Sequence, residues 1–486
     1  MDMYRQRSKR AQQIRFLLTY TLVPMLIVVV VTVFVLLVLG YRFDSSDNSV
    51  RQGGLVQYDT VPGGARVTVD GVKLGGTTRT RENIAAGPHI VSMTRQGYLP
   101  WQKTVTVESG IILWLTYPRL VPQELTSQTL YDYETLAHTI SHPGERLLGI
   151  QPLADQPTLI AIQADNGDAV RSESTIPVSV YETDDKTPSE FAPRQWSESA
   201  RYVLFRQTSG DKATWLMLDR DQPEKSININ RIAGIPIDDI VLSNKDERYA
   251  YILSQGVIRR LSFSDSTLSA PLARSVGSMK QSLEGVISYT TLATADAQAS
   301  VGYVTPGASQ GRSITLPGVN NPQMVRIAEF DRHQYVAVTS PGHLDVFRIS
   351  LHPSDSDASL EARLVSSVSI AKQVSELSFS PNGRFVVARE AQSTKVYDIE
   401  LRKVSTITLR SSGSAGTTLR WIDDFHMLSS YDGTLQMHEF DGENVTPLVP
   451  ATPGTDAILT SNGRYMYYIA PSKDKGYLVE RVQMIL

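Results

Sequence analysis

The 486-residue chain contains no cysteine. Disulfides, thiolate nucleophiles and thiolate metal sites are thereby excluded together. It also lacks a charge surplus: 47 Lys and Arg stand against 50 Asp and Glu, a net charge of −3 with a charged fraction of 20%. No basic surface points to nucleic acid. The eight histidines are scattered, without the His-Glu-x-x-His spacing of a zinc protease, and no phosphate-cradling glycine loop is present. A nucleophile elbow of the Gly-x-Ser-x-Gly type is not expected either; Gly413-Ser414-Ala415-Gly416 has the wrong spacing and reads as a loop. Asp355-Ser356-Asp357 lacks the glycine and terminal Glu of a calcium loop, and Asp165-Asn166-Gly167-Asp168, Asp432-Gly433 and Asp441-Gly442 read as turns. Catalytic, cofactor and metal residues are accordingly assigned to none, and binding residues are unknown.

What the chain does have is one long uncharged run. Between Arg15 and Arg42 no formal charge occurs, and Phe16 to Gly40 is mostly Leu, Val, Ile, Phe and Met. About 20 such residues in a helix cross a hydrocarbon core about 30 Å thick. A transmembrane helix is expected over 16–41, with lipid as its partner. Pro24 kinks such a span without abolishing it. A cleaved signal has a shorter apolar stretch and small residues at its end, unlike Val38-Leu39-Gly40-Tyr41-Arg42. A buried soluble helix is the remaining alternative. Arg5, Arg7, Lys9, Arg10 and Arg15 face one acid, Asp2, ahead of the run. The positive-inside rule keeps this basic tail, 1–15, in the cytoplasm and exports everything beyond the span.

Residues 42–54, polar and rich in Ser, Asp and Gly, read as a linker. From 55 to 118 the pattern is a small antiparallel sandwich. Val67 and Val69 alternate with polar neighbours, Asp70-Gly71 makes a hairpin turn, and His89–Met93 and Lys103–Val107 alternate again. The glycines at 71, 75 and 97 supply turn conformations closed to other residues. Tyr98 and Trp101 are expected to cover one end, and exposed Tyr98, Pro100 and Trp101 are weighed as a glycan-stacking platform. The order Pro62-Gly63-Gly64-Ala65, Val67, Val69-Asp70-Gly71, Gly75, Thr77, Gly87-Pro88-His89, Val91 and Arg95-Gln96-Gly97-Tyr98 resembles the PEGA domain. It departs at Gly63, where the family has Glu, and at Thr78, where proline is usual. The resemblance implies a β-sandwich used as a spacer or adhesion-type module on the bacterial surface, with no catalytic residues.

The remainder, 119–486, repeats. A turn followed by a hydrophobic strand recurs from Ser141, Ser197, Ser243, Gln281, Phe330, Ser380, Trp421 and Ser461, a mean step of about 46 residues. These runs alternate or are continuous and β-branched, which argues for strands, and four-strand units of this period describe a β-propeller. Ser380-Pro381-Asn382-Gly383-Arg384-Phe385 and Ser461-Asn462-Gly463-Arg464-Tyr465 resemble the turns of TolB-type and WD-like propellers, which bears on architecture rather than activity. Eight blades are counted, or seven if Gln281 to Pro317 is an elaborated connection. The last unit is one strand short, and Leu125 to Tyr133, ahead of the first unit, is expected to complete it. The chain thus reads as an all-β protein behind a membrane anchor. The expected function is non-enzymatic binding or scaffolding in the bacterial envelope, with an envelope protein or cell-wall glycan as partner. The alternative is a polysaccharide- or peptide-processing enzyme with carboxylates at the propeller mouth, which leave no local motif.

Overall fold

The computed structural model describes residues 9–38, 41–44, 49–165, 168–183, 189–295, 297–350, 362–391, 393–408, 419–473 and 476–486. Asp355–Asp357, Gly413–Gly416, Asn166, Gly167 and most of the basic tail lie outside them. The chain divides into two compact units, Met1–Glu124 and Leu125–Leu486.

The first unit opens on a helix, Lys9–Val38. It starts inside the expected tail and stops before Tyr41, which already opens a strand, so the span is shifted from 16–41. Phe16–Leu36 is long and apolar enough to cross a membrane, and none of it is buried. Two of its hydroxyls bond within the helix: Thr21 Oγ1 donates to Leu17 O (2.6 Å) and Thr32 Oγ1 to Val28 O (2.8 Å), which suits a lipid environment. The expected linker does not stay extended. Tyr41–Asp44 pairs antiparallel with Ser49–Gln52, setting Tyr41 opposite Gln52.

Two sheets follow. One orders Val72–Thr77, Arg66–Val69, Gly87–Thr94 and Trp101–Val107; the other orders Thr80–Ile84, Gly54–Tyr58 and Ile112–Leu115. The sandwich is not wholly antiparallel, because Ile112–Leu115 crosses to the second sheet and pairs parallel with Gly54–Tyr58. Asp70 and Gly71 both take positive φ, 48° and 81°, the geometry of a two-residue hairpin. Gly75 lies inside a strand without positive φ, so it does not serve as the expected turn. Tyr98 (3% exposed) and Trp101 (4%) belong to the core with Val56, Tyr58, Val67 and Met93. That removes the stacking platform: the alternation of Trp101–Val107 points Trp101 inward. Thr78 is used rather than tolerated. Its Oγ1 meets Thr60 Oγ1 at 2.9 Å and accepts the Ala65 N–H at 3.0 Å. Residues 119–122, assigned by sequence to the propeller, bridge back to Val61 and Tyr98 and stay with the sandwich.

The second unit is a β-propeller, and among the described residues it forms eight four-stranded antiparallel sheets. Blades 1 to 7 occupy 138–175, 190–228, 239–268, 276–314, 324–369, 376–408 and 420–450, each laid down in chain order. Residues 276–314, the doubtful stretch, form a full sheet. Blade 8 takes three strands from 458–483 and its outer strand from Ser127–Tyr133. That closing strand pairs Ser127 with Val482 and Tyr133 with Tyr477.

Blades adhere through apolar side chains at each seam. Leu159 and Ala161 of blade 1 pack with Val203 and Phe205 of blade 2. Tyr251 and Leu253 of blade 3 meet Met279 and Ile287 of blade 4. Phe385 of blade 6 stacks on Trp421 and Phe440 of blade 7, with centroids 5.9 and 4.4 Å away. Leu148 and Ile160 join Tyr467 and Val479 across the closing seam.

The repeated turn has a physical cause. At Ser197, Ser380 and Thr460 the hydroxyl accepts the N–H of Tyr202, Phe385 and Tyr465, each at 3.0 Å. The same residues' backbone N–H groups return bonds to those partners' carbonyls. One hydroxyl thus fixes both ends of the turn between first and second strands. The residue before the aromatic is Arg, whose guanidinium lies over the ring: Arg201 on Tyr202 (5.0 Å), Arg384 on Phe385 (5.0 Å), Arg464 on Tyr465 (5.6 Å). In blades 2 and 6 that Arg also grips an Asp ending the third strand. Arg201 Nη2 reaches Asp219 Oδ2 at 2.7 Å, and Arg384 Nη2 reaches Asp398 Oδ2 at 2.6 Å. Gly383 combines positive φ (74°) with close approach: a Cβ there would lie 2.1 Å from Glu329 O of blade 5, so Gly383→Ala is excluded sterically.

Deleting Leu125–Tyr133 leaves blade 8 with three strands and an open edge. The expected result is loss of the cooperative thermal transition, read by circular dichroism. A normal melt in the deletion variant would show that closure is dispensable.

Candidate functional site

The first strands of successive blades lie side by side from blade 1 through blade 6, and first strands bound the central channel of a propeller. They carry an unusual density of charge for the innermost element of a sheet. His138, Glu190, Arg194, Asp239, Lys280, Arg326, Glu376 and Arg420 are on first strands, Arg206 and Arg389 are on second strands, and Asp456 directly precedes blade 8. Glu376 Oε2 faces Arg389 Nη1 at 3.4 Å, and His138 Nε2 faces Glu190 Oε1 at 3.5 Å. Both carboxylates sit against a basic side chain.

Asp456 ties three blades together. Its Oδ1 lies 2.6 Å from Arg420 Nη1 of blade 7. Its Oδ2 accepts the Ser141 N–H (2.8 Å), and its own N–H donates to Thr139 Oγ1 (2.8 Å), both on blade 1. Burial pushes its carboxyl up, opposed by Arg420 and Ser141. Around the ring, burial likewise pushes Asp239 up against the Ile240 N–H, Lys280 and Arg206. It pushes Lys280 down, reinforced by Arg326 and opposed by Asp239 and Glu376. Arg326 is pushed down to about 10 by burial, with Glu376 opposing. Lys280, Glu376 and Arg420 are nevertheless open to solvent. Groups that touch water while protein surrounds them occupy a narrow, wet channel.

Two cavities open on these residues. One of about 500 Å³ is lined by His138, Arg194, Arg420, Thr452, Thr455 and Tyr477. The other, about 220 Å³, is lined by Glu376, Arg389, Arg420 and Trp421. A cleft among blades 7, 8 and 1 has room for about 30 Å³, roughly one water, and is too small for a ligand.

The remaining sequence candidates are not assembled into chemistry. One stretch, Gly307-Ala308-Ser309-Gln310-Gly311, does fit the elbow spacing, contrary to expectation. It connects Val301–Val304 to Arg312–Ile314, two strands of one blade. The strand-to-helix turn that gives the elbow its reactivity is missing there. His426 and His438 lie on adjacent strands of blade 7, and both are buried. His426 Nδ1 faces Asp423 at 2.9 Å. His438 Nε2 meets Ser429 Oγ at 2.5 Å, and both partners are sealed from solvent. Among the described residues no group of three metal-ligating side chains occurs.

Burial alone pushes His438 down from 6.5 to about 4. Above pH 6.5 folded and unfolded chains both hold it neutral. Between pH 6.5 and 4 only the unfolded chain takes up the proton, so this group's stabilising contribution falls as pH falls. The span corresponds to about 3 kcal/mol. His438→Gln should lose that part of the acid sensitivity, read as urea midpoints at pH 7 and pH 4.5. Equal losses in both proteins would contradict it.

Residues 54–122 match the PEGA domain family. No curated protein matches the chain. Among solved structures, the β-propeller domain of Myceliophteria thermophila Cps50 (Swd1) is similar at 9% identity, covering 67% of this chain and 100% of that one, with a TM-score of 0.42. Kluyveromyces lactis Hsv2 is similar at 12% identity over 73% of this chain and 100% of its own, TM-score 0.42. Porphyromonas gingivalis dipeptidyl peptidase 4 is similar at 15% identity over 72% of this chain but only 58% of its own, TM-score 0.46. The chain therefore carries a PEGA domain behind an apolar helix and ahead of a β-propeller.

Proposed function

We propose that this chain is a single-pass protein of the bacterial cytoplasmic membrane that binds an envelope protein or cell-wall glycan outside the cell, through the channel of its propeller. The observation that carries this reading is the ring of charges on the first strands. On the first strands four Lys and Arg stand against Glu190, Asp239, Glu329 and Glu376, and Arg206 and Arg389 on the second strands tip the balance to cations in a chain that is acidic overall. The side chains of Lys280 and Arg194, both exposed, make no ion pair or hydrogen bond among the described residues; Arg326 repels Lys280 and Asp239 only partly compensates. An acidic group of the ligand entering there relieves that repulsion. One charge pair at about 4 Å contributes about 4 kcal/mol at an effective dielectric constant of about 20, against about 1 kcal/mol in open water. Enclosure therefore makes the channel a stronger anion site than any surface lysine. The fully exposed apolar helix supports anchoring, and the basic residues ahead of it support a cytoplasmic N-terminus. The PEGA match supports a place in the envelope.

Purified protein should co-sediment with isolated cell-wall sacculi. Lys280→Glu combined with Arg326→Glu should weaken binding by about tenfold or more, with the thermal midpoint held as a control on folding. Binding that survives protease treatment of the sacculi assigns the ligand to glycan, and binding that is lost assigns it to protein. Unchanged binding by a folded double variant would remove the channel from the reading. Protease added to intact spheroplasts should digest the propeller and spare residues 1–15; a protected propeller reverses the orientation.

A further inference from the structure

The short strand Ile112–Leu115 is an edge of the three-stranded sheet in the PEGA domain, and its outer face is apolar. Ile112 is 46% exposed and Trp114 51%, while Leu115 is buried; Ile111, just before the strand, is 52% exposed. Alternation puts Ile112 and Trp114 on one side, away from the core. The register sets Trp114, Gln57 and Arg81 in one row across the sheet, and Arg81 is exposed. The face thus presents an indole, an isoleucine and a guanidinium, with exposed Ile111 at its rim just before the strand.

Its position follows from the hairpin that replaces the linker. An extended chain from Val38 to Gly53 would reach about 50 Å. Pairing of Tyr41 with Gln52 brings the chain back, so Gly53 lies within about 20 Å of the end of the helix by backbone path. The edge is fastened at that same point. Gly110 N–H donates to Gly53 O (3.0 Å), Ser109 Oγ donates to Gln52 O (2.9 Å), and Leu55 N–H donates to Ile111 O (3.1 Å). The apolar face therefore begins where the membrane span ends.

We propose that the Ile111, Ile112 and Trp114 face rests in the lipid headgroup layer, with Arg81 directed to anionic lipid phosphates. Tryptophan suits that layer because its ring is apolar and its N–H polar, isoleucine adds apolar area for the acyl side, and a guanidinium pairs well with a phosphate. The proposal rests on the membrane-anchor reading and is independent of what the channel binds.

The absence of native cysteine permits a direct test. Trp114→Cys and Ile112→Cys, each in the full chain, are spin-labelled and reconstituted into vesicles of phosphatidylethanolamine and phosphatidylglycerol at 3:1. Val72→Cys, at a 68%-exposed position on the other sheet, is the aqueous control. Labels at 112 and 114 should collide several-fold more with oxygen and several-fold less with a water-soluble nickel chelate than the label at 72. Equal nickel access at all three sites, in protein that floats with the vesicles, overturns the proposal and leaves the anchor intact. Low access to both oxygen and nickel would mean that protein covers the face, and also overturns it. Protein that fails to float with the vesicles defeats the anchor reading itself.

Discussion

The pairing of Ser127–Tyr133 with Tyr477–Gln483 is the constraint on which the propeller depends. Seven sheets are each complete from contiguous sequence, but the eighth is made only when the two ends of the unit meet. Side chains add to the ladder at this point. Ser127 Oγ lies 2.7 Å from Tyr468 Oη, Tyr468 donates to Glu480 Oε2 at 2.5 Å, and Thr129 Oγ1 donates to Glu480 Oε1 at 3.1 Å. Desolvation and the Glu480 acceptor hold Tyr468 well above the usual phenol range, so it stays a donor. Without this strand the last sheet would expose unpaired N–H and C=O groups. The contact joins residues more than 340 apart, so the chain must order almost the whole unit before closure rewards it.

Much of this architecture was legible because it is local. The hydroxyl at Ser197 or Ser380 and the aromatic five residues later are visible in sequence as the recurring turn, whereas in the last copy the expected start, Ser461, lies one residue past the hydroxyl that bonds, Thr460. The Arg placed on each ring was visible too, as Ala-Arg-Tyr, Gly-Arg-Phe and Gly-Arg-Tyr, although its pairing with Asp219 or Asp398 was not. Those partners lie 18 and 14 residues away on another strand. Burial was misread where a short window was used. Tyr98 and Trp101 follow glycine and flank proline, which suggests surface, yet extending the alternation of Lys103–Val107 back by two residues turns Trp101 inward. Lys103 itself is buried on that inner side, its Nζ 5.4 Å from the Tyr117 ring. The linker was misread for another reason: polar residues that favour an extended chain also make the edges of a short hairpin.

The channel was not legible at all. Its charges come from strands separated by tens of residues, one or two per blade, so no spacing rule connects them. Only the packing of successive blades makes Asp239, Lys280, Arg326 and Glu376 neighbours. Conversely the one local stretch with an elbow's spacing, Gly307–Gly311, was overlooked in the sequence and lies in an ordinary connection between strands. In a propeller, sequence motifs mark the scaffold and the site is left to topology.

Closure and site also meet physically. Asp456 is almost fully buried, and a buried ion pair rarely adds net stability because desolvation offsets the Coulomb gain. Its retention at the seam is better explained by what it joins. It links Arg420 of blade 7 to Ser141 and Thr139 of blade 1, on the inner side of the ring. The closing strand does the same on the outer side. The seam is thus clamped at both radii, by a carboxylate inside and a β-ladder outside. A cavity of about 500 Å³ is lined by residues of blades 1, 2, 7 and 8, Arg420 among them, so the cation that pairs with Asp456 at the seam also lines the wall of that space.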